Sequence, residues 1–124
     1  MPRRILDHAR IHHAIRDKLA SRHADIVDEV EAAIAADDVV VVGMAQNPHC
    51  RRVRRMLDRA AVAYRYLEYG SYLGQWRRRN ALKMWTGWPT FPMVFVKGVL
   101  VGGASDVARL VANGELQGML STPA

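Results

Sequence analysis

The chain has 124 residues, half of them apolar, and 18 Lys and Arg against 12 Asp and Glu give a formal charge of +6. This length and composition exclude a disordered chain and bound the protein to one domain with a modest core. Neither a membrane span nor a secretory signal is expected, because the longest apolar run is Val39 to Ala45 and no apolar segment follows the charges of MPRRILDHAR.

A single cysteine excludes an internal disulfide and a multi-cysteine metal site, and fits a reducing cytoplasm. From residue 5 to residue 20, Ile5, Ala9, His12, Ile15 and Leu19 recur at helical spacing and predict a first helix. His8 and His12 share a face with His13 beside them. They lack the intervening Glu of catalytic zinc helices and an obvious third ligand, so they read as a partly packed helix surface, not a metal site. A second helix is predicted from Ala24 to Ala36, with Ile26, Val30, Ala33 and Ile34 inward and Asp37 and Asp38 at its end. Val39 to Val42, four β-branched residues in a row, predict a buried parallel strand.

Asn47 is a good helix N-cap and Pro48 a good first helical residue, so the next helix starts there. Val53, Met56, Leu57 and Ala60 form its inner face; the arginines at 51, 52, 54, 55 and 59 read mostly as solvated surface. Cys50 falls in the first turn, where helix N–H groups and neighbouring arginines favour a thiolate; a free cysteine is also among the commonest buried residues, and the structural reading is preferred. Tyr64 to Tyr69 predicts a second strand ended by Gly70, and a helix from Ser71 or Tyr72 to about Trp85 follows. Arg79 and Lys83 lie four apart on that helix, a spacing that suits either solvation or a grip on one carboxylate.

Pro92 precedes the strand Met93-Val94-Phe95-Val96, where proline marks an edge, a turn or a cis bond. Lys97-Gly98 reads as a hairpin turn into Val99-Leu100-Val101. Gly102-Gly103 ends that strand, and a helix from Ala104 or Ser105 is closed by Asn113-Gly114. The tail, Glu115 to Ala124, reads as one loose turn. The order helix, helix, β, α, β, α, β, β, α predicts an α/β four-stranded mixed sheet with helices on both faces.

Trp88-Pro89-Thr90-Phe91-Pro92, then Val94-Phe95-Val96-Lys97-Gly98 and Gly102-Gly103, resemble the segment of monothiol glutaredoxins that holds a cis-proline and a glycine pair. The resemblance covers roughly residues 24–116. It implies a thioredoxin-like fold for a glutaredoxin-like domain at 24–124, preceded by an amino-terminal helical extension at 1–23. It also implies a glutathione site. Arg79 and Lys83 match helix positions that hold the glycine carboxylate. Phe91, ahead of Pro92, matches the residue whose backbone pairs with the cysteinyl part. Ala104, Ser105 and Asp106 match the helix start that receives the γ-glutamyl end. Helix N–H groups suit that carboxylate, and an aspartate suits its ammonium.

Two positions depart from the family pattern. Asn47 falls where the family has its nucleophilic cysteine, leaving Cys50 in the resolving position. Met44 falls where the family has a lysine. An amide forms no mixed disulfide, so the usual cycle cannot begin at Asn47. The family's two-iron cluster would also lack its cysteine ligand. The sequence thus predicts a glutathione-binding protein of thiol/disulfide redox homeostasis, with weak or lost disulfide reductase activity. Its partners are glutathione or a glutathionylated protein. One alternative is a single-thiol, glutathione-dependent oxidoreductase using Cys50 as its catalytic residue. Another is a non-enzymatic adaptor whose protein partner docks on Trp76 with the arginines at 77–79, or on those at 51–55. Nucleic acid is disfavoured, since no reader motif appears.

Overall fold

The computed structural model describes residues 3–121. Its centre is β1 (Val39–Gly43), buried along its whole length, as expected for consecutive valines covered on both faces. On one side β1 pairs in parallel with β2 (Arg65–Glu68), with Val42 opposite Leu67. On the other it pairs antiparallel with β3 (Met93–Val96), with Val40 opposite Phe95. Antiparallel β4 (Val99–Gly102) completes a four-stranded mixed sheet in the order β2-β1-β3-β4. The β3–β4 turn is Lys97-Gly98, with φ of 52° and 79°, the left-handed pair that a two-residue hairpin needs.

Strand alternation divides the core into two layers. Val40, Val42, Met93 and Phe95 face one side and pack with Ile26, Val30 and Ala33 of α2 (Ala24–Ala36) and Leu82 of α4 (Trp76–Thr86). Val39, Val41, Val94 and Val96 face the other. There they meet Val53 and Leu57 of α3 (Pro48–Arg59), Val107 of α5 (Ala104–Ala112) and Leu116 of α6 (Glu115–Ser121). Among the described residues no helix is long and apolar enough to cross a membrane.

Three boundaries and one connection differ from the sequence reading. The first helix is a 3-10 turn (His8–Arg10) followed by α1 (His13–Ser21). Polar side chains set this break: Asp7 accepts from the Ala9 N–H at 2.8 Å, and His12 Nδ1 accepts from the Ala14 N–H at 3.1 Å. His12 is therefore a cap. No residue of α1 is buried, and Ile5, Leu6, Ile15 and Leu19 stay largely exposed, so the apolar stripe does not join the core.

The helix expected from Ser71 or Tyr72 begins only at Trp76. Residues 71–74 form a turn, and Gly70 and Gln75 flank it with positive φ. The expected loose tail is a helix over Glu115–Ser121, anchored by buried Leu116. Residues 122–124 of that tail lie outside the described residues. Finally, β3 runs antiparallel to β1 and hence to β2, so the α4 connection is not a parallel crossover like that through α3.

Candidate functional site

The carboxyl end of β1 delivers Asn47 to the start of α3. Asn47 Oδ1 accepts from the backbone N–H groups of His49 at 2.9 Å and Cys50 at 3.1 Å, and Pro48 takes the first helical position. The donors that would stabilise an anion at this helix end are thus engaged by the cap. The Asn47 amide Nδ2 points the other way and lies 3.5 Å from Tyr72 Oη.

Cys50 sits behind this cap and is only 1% exposed. Burial pushes its thiol pKa up; a backbone hydrogen bond from Met44 opposes the shift and the Glu68 carboxylate adds to it. The space around Sγ is full. A Cβ on Gly43 would lie 3.0 Å from Sγ and 2.9 Å from the Tyr66 ring. Tyr66 Oη donates to Glu68 at 3.0 Å, and the Arg54 guanidinium covers the Tyr66 ring at 4.1 Å.

The opposite wall is built by the cis peptide Phe91–Pro92 and the start of α5. Gly102 takes a φ of 117°, and the following Gly103 N–H donates to Asp106 Oδ2 at 3.0 Å, which caps the helix. A Cβ on Gly103 would lie 3.4 Å from the Pro92 carbonyl oxygen and 3.8 Å from Trp88 Nε1. The Pro92 carbonyl and the Trp88 indole therefore both lie close to Gly103 at the start of α5. Ala104 is buried and Ser105 exposed at that helix start; the cap is Gly103, not Ser105. Trp88 Nε1 is buried without a hydrogen-bond partner. The sequence places Trp88 within a motif but gives no signal that its N–H would be left open.

Lys83 Nζ lies 5.8 Å from the centre of the Phe91 ring, which brings these two predicted residues together. Arg79 does not join them. It is 7% exposed, and its Nη1 donates to the carbonyls of Tyr69 at 2.9 Å and Gly74 at 2.5 Å. Burial pushes its pKa down. Arg79 thus braces the turn that carries Tyr72. Arg78 pairs with Asp25 at 3.0 Å, so within this cluster only Arg77, stacked 5.1 Å over Trp76, is left on an open face.

A cavity of about 570 Å³ between α1, α2 and α4, lined by Leu19, Val27, Trp76, Arg77 and Trp85 among others, contains none of the residues matched to the glutathione site. No group of three or more His, Cys, Asp or Glu able to hold a metal occurs among the described residues.

The family model for glutaredoxin matches residues 39–101. A glutaredoxin-like protein of Dictyostelium discoideum is 48% identical over 94 residues, covering 76% of each chain. Glutaredoxin-C4 (chloroplastic) of Oryza sativa is 33% identical over 95 residues, or 77% of this chain and 71% of that protein. Among solved structures, the buckwheat glutaredoxin–glutathione complex superposes with a TM-score of 0.70 at 24% identity, covering 81% of this chain and 91% of that one. Oxidized glutaredoxin 2 of Chlamydomonas reinhardtii gives 0.69 at 27% identity, covering 79% and 92%. The fold is thioredoxin-like, and the chain belongs to the glutaredoxin family.

Proposed function

We propose that the protein binds glutathione, free or attached to a protein, without forming a disulfide at position 47. The observation that carries this reading is the close approach of the cis Phe91–Pro92 loop to the capped start of α5. A peptide laid along that loop pairs strand-like with the Phe91 backbone and directs one carboxylate at the α5 amino terminus. Asp106 beside it meets an ammonium, since a carboxylate accepts more bonds than the one it takes from the Gly103 N–H. Lys83 meets the second carboxylate, at the glycine end. Arg79 acts indirectly, by holding the turn, and the open Trp88 N–H offers a further donor.

The glutaredoxin fold supports a role in thiol redox homeostasis. The enclosure of Cys50 favours weak or lost reductase activity over a single-thiol enzyme working through that residue. A cysteine-ligated iron–sulfur cluster fits poorly, because Asn47 offers no thiolate and the thiol behind it is enclosed. A cytoplasmic setting suits the lone thiol.

Isothermal titration calorimetry with reduced glutathione tests the reading. A dissociation constant between about 1 μM and 1 mM is expected, from the few charged contacts available. Lys83→Glu, at a half-buried position of α4, should weaken it by about fivefold or more. The absence of binding in the native protein, or binding indifferent to Lys83→Glu, would remove the basis for this site.

A further inference from the structure

Building on the glutathione reading, we propose that the site prefers glutathione carrying an apolar substituent on sulfur, a thioether conjugate. Leu73 and the ring of Tyr72 receive that substituent.

The position matched to the family nucleophile is occupied by Asn47, whose Oδ1 already takes the His49 and Cys50 N–H groups. These are the donors that would otherwise favour a thiolate at the ligand sulfur. What remains there is neutral: an amide NH₂ with a phenol 3.5 Å away. Neither group carries a charge to hold a thiolate there, and no cysteine competes for the space.

The residue that carries this phenol belongs to an exposed apolar tip. Tyr72 is 63% exposed and Leu73 95% exposed. Isolated exposed leucines are common, but this one sits on a braced turn. The Leu73 N–H donates to Ser71 Oγ at 3.2 Å, and the Gly74 N–H to the Ser71 carbonyl at 3.2 Å. Arg79 ties both ends of the turn through the Tyr69 and Gly74 carbonyls. The Asn47–Tyr72 contact ties the Tyr72 end of this turn to the Asn47 amide, and Leu73 is the next residue along it. A preformed apolar surface loses little freedom on binding, so covering it with an alkyl or aryl group gains affinity. The polar ends of the tripeptide remain with Lys83, Phe91 and the α5 start.

The experiment is a calorimetric comparison of glutathione, S-hexylglutathione and S-hexylcysteine on the full chain and on Leu73→Ser and Leu73→Met. S-hexylglutathione should bind about tenfold more tightly than glutathione, from partial burial of its methylene chain. Leu73→Ser should remove most of that advantage and leave glutathione affinity within about twofold, while Leu73→Met keeps the advantage. Equal or weaker binding of S-hexylglutathione would overturn the inference while leaving the glutathione reading in place. So would an advantage that survives Leu73→Ser. S-hexylcysteine binding as tightly as the full conjugate would show the tail acting alone and refute it too. If neither glutathione nor its conjugate binds, the glutathione reading fails with it.

Discussion

Replacing Asn47 separates its structural role from the chemistry it has displaced. In Asn47→Ala, two backbone donors, on His49 and Cys50, lose their acceptor. Losing an N-cap costs about 0.5–2 kcal/mol. The Cys50 bond is buried, where water cannot replace the lost partner, so the cost falls in the upper half, about 1.5 kcal/mol. For a chain of 124 residues this lowers Tm by about 4–6 °C. Asn47→Asp keeps the acceptor and places a negative charge at the positive end of α3, so it should stay within about 0.5 kcal/mol of the native protein. Asn47→Cys should resemble alanine in stability, since sulfur is a weak acceptor. It should also gain glutathione-dependent disulfide reductase activity, because the restored thiol meets the freed helix N–H groups. Urea denaturation followed by circular dichroism measures the stabilities, and a coupled mixed-disulfide reduction assay measures the activity. If Asn47→Ala is as stable as the native chain, Asn47 is not the cap described here. If Asn47→Cys gains no activity, the loop is not a dormant glutaredoxin centre.

Cys50 should resist alkylation in the native protein at neutral pH and react fully in urea, by mass spectrometry. Because burial raises its folded pKa above the ordinary thiol value of 9.0, the unfolded chain releases its proton first as pH rises. Its contribution is therefore complete below pH 9.0 and is lost as pH climbs through the raised folded value, so Cys50→Ala should flatten the alkaline fall in stability measured in urea. Gly102→Ala should destabilise by about 1–3 kcal/mol in the same assay, since φ is positive there and the new Cβ would collide with the Asp106 carboxylate. Removing residues 1–21 should leave a cooperatively folding unit, because α1 buries no residue; loss of the thermal transition would show the amino-terminal segment to be integral.

The strands were legible because their signals are local and strong. Four consecutive valines can satisfy only a strand covered on both faces, and Lys97-Gly98 can take the left-handed pair of a tight turn. The cis-proline wall was legible from the resemblance, since a proline alone leaves edge, turn and cis bond open.

The errors arose where distant contacts decide. Arg79 and Lys83 are correctly four apart on one helix, but the carbonyls of the 69–74 segment, folded back against α4, draw Arg79 inward. That fold-back also delays the start of α4 to Trp76. Glycines at 114 and 118 argue locally against a helix in the tail, but burial of Leu116 against the second core layer overrides them. His12 reads as part of a helix face by spacing, whereas its ring nitrogen starts the helix. At the site itself, the missing nucleophile is plain in the sequence. The enclosure of Cys50 by Gly43 and Tyr66 is not, because those residues lie on two neighbouring strands.

The central claim is that this glutaredoxin fold holds glutathione without a covalent bond. Native mass spectrometry after incubation with glutathione and glutathione disulfide, repeated under denaturing conditions, tests it most directly. The account predicts a one-to-one complex in the native spectrum and an unmodified chain after denaturation. A glutathione adduct on Cys50 that survives denaturation, or no complex at all, would contradict it.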